Sequence, residues 1–327
     1  MFGHTGGWTF EEAVAAGAHT GPDQALWLTG MPAFIFDAVD ATVLSPEETA
    51  LSVFFGGEPL VARLKGKLLL RCIGTPPKAG LTDQALIPTS PYWEALKPFM
   101  PRIHGLCTVS KPFADNLDAW ARENGFCGPQ VKVIPHGVLG DLPESSDRKG
   151  VVYLGSLIGH KQVEVVILAC AKAKMKLTIC AALDESTQSR ELPQLQALAR
   201  ANGVEVEWTS VGDRRRTELL QRSLVVVTAS RGESQWLPGF EGKACGAVAI
   251  APDEPLIRDA HGDGLLYYDG TVEGLASCLH SMDKVTQVWA KEWWRQRRHF
   301  LGCGRSMSDV GSSLWSWVLS VAAGESP

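Results

Sequence analysis

The stretch Val151–Cys180, VVYLGSLIGHKQVEVVILACAKAKMKLTIC, decides the fold. It opens on the apolar run Val151-Val152-Tyr153-Leu154, crosses the loop Gly155 to Lys161, and turns helical from Val163 to Ala173. A second apolar run, Leu177-Thr178-Ile179-Cys180, follows. Continuous rather than alternating apolar runs, separated by a helical crossover, are what parallel strands covered on both faces require. The alternation continues: strands are expected at Val204 to Trp208, Leu224 to Val227, Ala247 to Ile250 and Leu265 to Tyr268. Helices are expected over Leu192 to Asn202, Thr217 to Arg222, Phe240 to Cys245 and Val272 to Met282. The class is α/β, doubly wound.

A second, less regular set lies upstream. Ala33 to Phe36, Leu68 to Ile73, Gly105 to Val109 and Val131 to Ile134 read as strands. Helices are expected near 9–19, 47–55, 90–100 and 111–124. Between the two sets, Pro135 to Asp147 is rich in turn formers. The expected division is 1–138 for an N-terminal Rossmann-like domain, 139–305 for a C-terminal one, and 306–327 for a helix returning to the first. A chain of 327 residues suits about two domains.

In open α/β sheets, ligands collect beyond the carboxyl ends of the strands. Two loops there carry chemistry. Gly155-Ser156-Leu157-Ile158-Gly159-His160-Lys161 combines glycines, which let backbone N–H groups face an anion, with a lysine ahead of a helix. The loop Thr228 to Pro238 carries Glu233, and the helix expected from Gly239 carries Glu241 in its first turn. A carboxylate there is either a charge favoured by the helix dipole or one of two acceptors for sugar hydroxyls.

Four segments in order resemble the retaining glycosyltransferases of the GT-B fold, family 4, across roughly residues 105 to 320. These are Thr108-Val109-Ser110 leading to VKVIPHGV (131–138), Val152-Tyr153-Leu154-Gly155 with Lys161, Glu233-x7-Glu241 followed by Ala244-Cys245-Gly246, and Gly264-Leu265-Leu266-Tyr267 with the closing helix. The resemblance implies transfer of a sugar from a nucleotide donor to a glycan, lipid or small-molecule hydroxyl, with retention at the anomeric carbon. It gives Glu233 to the donor sugar, Glu241 to the ribose hydroxyls and Lys161 to the diphosphate. Gly155, Ser156, Arg231, Ser234, Gln235, Trp236 and Leu237 fall around the donor, and Asp37 at the expected first-domain strand end is a third catalytic candidate. The scheme needs no cofactor and no metal, and no metal-ligand cluster is spaced for one.

The chain departs from the family pattern at three places. Ser156 stands where an arginine fork usually grips the diphosphate, which Arg231 or His160 would have to replace. Ser234-Gln235-Trp236 replaces a flexible Gly-Phe-Gly, and Trp236 is read either as a wall of the sugar pocket or as a partly buried loop side chain. The N-terminal domain is short. A relative that binds a nucleotide sugar or a partner without turnover is therefore the alternative, whereas a nicotinamide enzyme lacks its G-x-G-x-x-G.

Composition limits the partners. A net charge of −5 gives no general basic field for nucleic acid, and Arg214 to Arg216 and Arg295 to Arg298 read as solvated clusters. Eight cysteines without a C-x-x-C pair, most in apolar runs, fit a reduced cytoplasmic compartment. Neither a membrane span nor a signal peptide is evident. Of eleven tryptophans, Trp289, Trp293, Trp294, Trp315 and Trp317 cluster near the C-terminal end. A helix docked on another domain is the first reading, and peripheral contact with the inner face of a membrane is the second.

Overall fold

A computed structural model of the chain describes residues 51–54, 67–72, 76, 91–137, 148–181, 185–209, 213–233, 235–284, 286–302 and 307–323. It divides into two units, Met1–Gly137 with Ser306–Pro327, and Val138–Arg305. The expected strand at Ala33 to Phe36, the helix near 9–19 and Asp37 lie outside the described residues.

In the first unit, strands β1 (Leu51–Phe54), β2 (Lys67–Cys72), β3 (Ile103–Thr108) and β4 (Lys132–Val133) form a parallel sheet in that order. The expectation of a helix over 47–55 is corrected here. Leu51 to Phe54 pair in register with Lys67 to Leu70. The run Leu-Ser-Val-Phe, with a β-branched and an aromatic residue, suits a pleated sheet, and pairing with β2 outweighs the local helical pattern. Helix α1 (Pro91–Leu96) continues into a 3₁₀ segment at Lys97–Arg102, and α2 (Lys111–Glu123) follows β3. Proline near the start of α2 fits a first turn whose N–H groups need no helical partner, and Phe113, Ala114, Leu117 and Ala121 make its buried face. Arg71 in β2 is buried and donates to the carbonyls of Ile134 and Pro135, both at 3.2 Å, tying the sheet centre to the end of β4. Helix Met307–Ala323 lays Val310, Leu314, Trp317, Val318 and Val321 on Leu69, Cys107 and Ile134.

In the second unit, six strands, β5 (Val151–Leu154), β6 (Leu177–Cys180), β7 (Val206–Thr209), β8 (Val225–Val227), β9 (Val248–Pro252) and β10 (Leu266–Tyr268), are all parallel. Their order is β10-β9-β8-β5-β6-β7. The chain winds outward from β5 in one direction and then from β8 in the other, so the topological switch falls between β5 and β8.

The unbroken apolar runs are explained by burial on both faces. Val151, Tyr153, Val225, Val227, Val248 and Ile250 point to one side, where α3 (Val163–Ala173), α4 (Glu185–Ala201) and α8 (Val272–Lys284) supply Val166, Ile167, Cys170, Leu195, Leu275 and Leu279. Val152, Leu154, Val226, Ala249 and Ala251 point to the other, against Leu220 of α5 (Asp213–Arg222), Cys245 of α6 (Leu237–Cys245) and Ile257 of α7 (Pro255–His261). Alternation of side chains along each strand thus feeds two cores. Among the described cysteines, Cys72, Cys107, Cys170, Cys180 and Cys245 are buried, whereas Cys127 is exposed.

The last helix of this unit, α9 (Thr286–Gly302), packs Trp289 and Trp293 against the unit's own core. Its Gln296 clasps the backbone of Ala249, accepting from N–H at 2.8 Å and donating to the carbonyl at 2.9 Å. These two tryptophans are therefore not a face docked on another domain, as one sequence reading had it. Among the described residues no helix is long and apolar enough to cross a membrane.

Candidate functional site

The loops that follow β5 and β8 meet at the switch point. The backbone N–H of Arg231 donates to the carbonyl of His160 at 3.0 Å, which joins the two loops directly. Each loop ends on a non-glycine residue in the left-handed region immediately before its helix: Gln162 at φ 46° before α3, and Trp236 at φ 41° before α6. Such backbone costs about 1–3 kcal/mol per residue and persists only where surrounding packing fixes it. Strain sits on both loops that border the switch.

Lys161, in a single 3₁₀ turn after β5, makes an ion pair with Glu233 from the loop after β8. Both side chains are mostly buried, at 17% and 16% exposure, so the pair is screened far less than a surface one. The structure thus brings together two residues 72 positions apart that the sequence assigned to one site. Tyr153 supports the first loop from below, its hydroxyl donating to the carbonyl of Ser156 at 2.7 Å. Burial, reinforced by the carboxylates of Glu233 and Glu164, pushes this phenol well above its ordinary value, so it remains a donor. Gly155 donates to the carbonyl of Cys180 at 3.2 Å, and Ser156 beside it is half-buried.

The second glutamate occupies a different setting. Helix α6 begins at Leu237 rather than Gly239, with Pro238 in its first turn. Glu241 therefore lies beyond the first turn, and the reading of it as a helix-start charge is corrected. Arg216 of α5 forms an ion pair with it. The expectation that Arg214 to Arg216 form a solvated cluster fails at Arg216, whose side chain is 33% exposed, because α5 and α6 pack together and turn that position inward. Arg295 departs from the solvated reading as well, donating to Glu292 and to the carbonyl of Leu265 at 2.6 Å.

Behind the Glu233 loop lies a buried polar chain that sequence reasoning missed. Lys243 of α6 is 1% exposed, His261 at the end of α7 is fully buried and Gln235 is 2% exposed. Lys243 Nζ lies 3.1 Å from His261 Nδ1, and His261 Nε2 lies 2.8 Å from the Gln235 carbonyl. An ammonium donating to Nδ1 leaves Nε2 as the N–H that donates to Gln235. Phe240 stacks on His261 at 3.9 Å between ring centroids, and Lys243 sits 4.3 Å over Phe240. The loop that carries Glu233 is held two residues downstream by this chain.

Trp236 is 3% exposed and packs in the core with Val152 and Val226, so of its two sequence readings the structure takes the buried one. Gly239 permits this: a Cβ there would stand 2.4 Å from the Trp236 ring. Arg231 is exposed beside the paired loops, and Leu237 is half-buried at the first position of α6. Ser234 and Asp37 lie outside the described residues. The signals for Lys243 and His261 were ionisable residues among others within short helices, LPGFEGKAC and PLIRDAH, which local patterning does not distinguish from surface charge.

With this geometry in hand, the fold can be compared with known ones. The sequence matches no family model and no curated protein. Solved structures share its fold. An α,α-trehalose 6-phosphate synthase from Burkholderia multivorans superposes with a TM-score of 0.68 at 14% identity, over 87% of this chain and 74% of that one. A sucrose-phosphate synthase from Thermosynechococcus elongatus gives 0.67 at 16% identity, over 90% and 79%. Anabaena HepE, solved in complex with UDP and glucose, gives 0.63 at 14% identity, over 82% and 78%. At these identities the likeness establishes the fold, that of the GT-B glycosyltransferases.

Proposed function

We propose that this protein is a retaining glycosyltransferase that moves a sugar from a nucleoside diphosphate donor to an acceptor hydroxyl. The observation that carries the reading is the Lys161–Glu233 pair, set between the two loops of the switch point in a fold shared with sugar transferases. In such sheets this is where a nucleotide lies. Lys161 meets the diphosphate and balances the charge that grows on it as the glycosidic bond breaks, assisted by N–H groups of the Gly155 loop. Glu233, released from Lys161, accepts hydrogen bonds from the sugar hydroxyls. Glu241, held in place by Arg216, takes the ribose diol; charge-assisted bonds of this kind contribute about 1.5–3 kcal/mol each.

The intact Lys161–Glu233 pair favours turnover over binding alone. HepE was solved with UDP and glucose, which makes UDP-glucose the first donor to try. A panel of UDP-, GDP- and ADP-sugars, with NAD as the control, is screened by thermal shift and then by donor hydrolysis and transfer. The expected outcome is stabilisation by one class of nucleotide sugar, turnover with the anomeric configuration kept as read by NMR, and loss of turnover in Glu233→Ala with nucleotide binding retained. Nucleotide binding with equal inertness of wild type and Glu233→Ala would instead establish the non-catalytic relative.

A further inference from the structure

Helix α9 carries a second surface, on the side away from the tryptophans that pack on the core. Between Val288 and Leu301 every described side chain is buried or half-buried except five: Val288, Lys291, Trp294, Arg298 and Leu301. Their spacing of three, three, four and three residues places them on one stripe of an α-helix. Val288 is 40% exposed, Trp294 57% and Leu301 64%, and these are three of the five exposed large hydrophobic side chains among the described residues. The stripe reads apolar, cation, apolar, cation, apolar over about 20 Å of helix at 1.5 Å per residue.

The opposite side is already committed. Trp289 donates to the carbonyl of Leu224 at 3.0 Å, and Gln296 clasps Ala249. Trp293 stacks with Trp289 at 6.0 Å between centroids and supports Trp294 edge-on at 4.7 Å. Arg295 is bound to Glu292, and Arg297 lies 5.5 Å over the Trp293 ring. Lys291 and Arg298 form no ion pair with a described residue. Two cations with no ion-pair partner among the described residues thus flank an exposed tryptophan that is braced from beneath.

We propose that this stripe is a docking surface for an anionic lipid bilayer. Charge chooses the occupant: the whole chain carries −5, yet this helix has four cations against the single carboxylate of Glu292. Attraction to an anionic surface is therefore local, acting within a Debye length of about 8–10 Å while the rest of the protein is screened. Apolar side chains chose the bilayer over a polyanion such as RNA. An indole ring is amphipathic and settles at headgroup depth, where Val288 and Leu301 reach the acyl boundary and Lys291 and Arg298 meet lipid phosphates. With only three apolar anchors, attachment is reversible and depends on anionic lipid. The inference stands independently of the sugar-transfer reading.

The test is flotation of the full chain with phosphatidylcholine vesicles and with vesicles of phosphatidylcholine and phosphatidylglycerol in equal parts. Binding is expected to the anionic vesicles only, and to fall with added salt. Lys291→Gln with Arg298→Gln should weaken it by about 25-fold, roughly five-fold per cation. Trp294→Ser should weaken it as well, while its thermal unfolding stays that of wild type. If a variant does not fold, quenching by brominated anionic lipid decides on its own: Trp294→Phe must lose most of the quenching seen in wild type. The proposal is overturned if the wild type floats with neither vesicle or equally with both, or if the variants float as wild type does. Self-association abolished by Trp294→Ser, or binding to an oligonucleotide in place of vesicles, would also overturn it.

Discussion

Glu233 and Glu241 are eight positions apart in sequence, and each is paired with a cation from another element, but they are held in unlike ways. Glu233 stands on a loop whose shape depends on a left-handed Trp236 and on the buried Gln235–His261–Lys243 chain. Its partner Lys161 comes from the loop of the neighbouring strand across the switch point. Glu241 stands on a regular helix, and its partner Arg216 comes from the adjacent helix. A loop carboxylate braced by buried polar groups can exchange its lysine for a ligand while its backbone stays fixed. A helix carboxylate with a bidentate-capable arginine is a fixed acceptor. Under the proposed function, the difference suits reaction at the first and recognition at the second.

The sharpest way to break this comparison is to truncate each glutamate in turn. Glu233→Ala is expected to lower kcat for sugar transfer by about 100- to 1000-fold with little change in donor affinity. Glu241→Ala should instead raise the donor KM by roughly ten- to a hundred-fold, the equivalent of one charge-assisted bond. Steady-state kinetics on both variants check it, and equal effects on the same parameter would erase the distinction.

Next in size is the helix that carries Glu241. A Cβ on Gly242 would lie 2.3 Å from Val226 Cγ1 in the fully buried centre of the sheet. Gly242→Ala should destabilise by about 1–3 kcal/mol in denaturant unfolding. Because the displaced element is α6, donor KM should rise in the same variant before kcat falls.

Arg216→Leu gives a smaller effect, about three- to ten-fold on donor KM, since Glu241 remains but loses the guanidinium that orients it. Calorimetric titration of the nucleoside diphosphate measures it. An unchanged affinity would mean that Arg216 serves only to join the two helices.

The smallest effect compares the cores themselves. Burial pushes the thiols of Cys107, in the first unit, and Cys170, in the second, up to about 12. Below the unfolded value of about 8.5 both protonated thiols leave stability intact, and above it ionisation of the unfolded chain erodes stability with rising pH. At pH 8 the exposed Cys127 should react with a thiol reagent in minutes, whereas Cys107 and Cys170 should react only after unfolding, as mass spectrometry of labelled peptides will show.

Legibility differed between the two units for a physical reason. In the second, strands buried on both faces write themselves as continuous apolar runs, and Val151 to Leu154, Leu177 to Cys180 and helix Val163 to Ala173 were read at their true bounds. In the first, Leu51 to Phe54 was read as helix because four residues fit either period until a neighbouring strand chooses one. Within the candidate site, the glycine loop and the spaced carboxylates drew attention to Lys161, Glu233 and Glu241, but spacing left two readings open and their expected roles came from the resemblance. Arg216, Lys243 and His261 were not, because what matters about them is which side chain they face.

The sequence alone determined a parallel α/β architecture and marked two strand-end loops as candidates for chemistry, since apolar periodicity and glycine placement are local properties of the chain. Only the tertiary structure decided that Lys161 meets Glu233, that Arg216 meets Glu241 and that Trp236 is core. It also set Trp289 inside and left Trp294 outside on one helix. Those outcomes depend on strand order and helix packing, which bring together groups tens of positions apart, and no local pattern encodes such pairings.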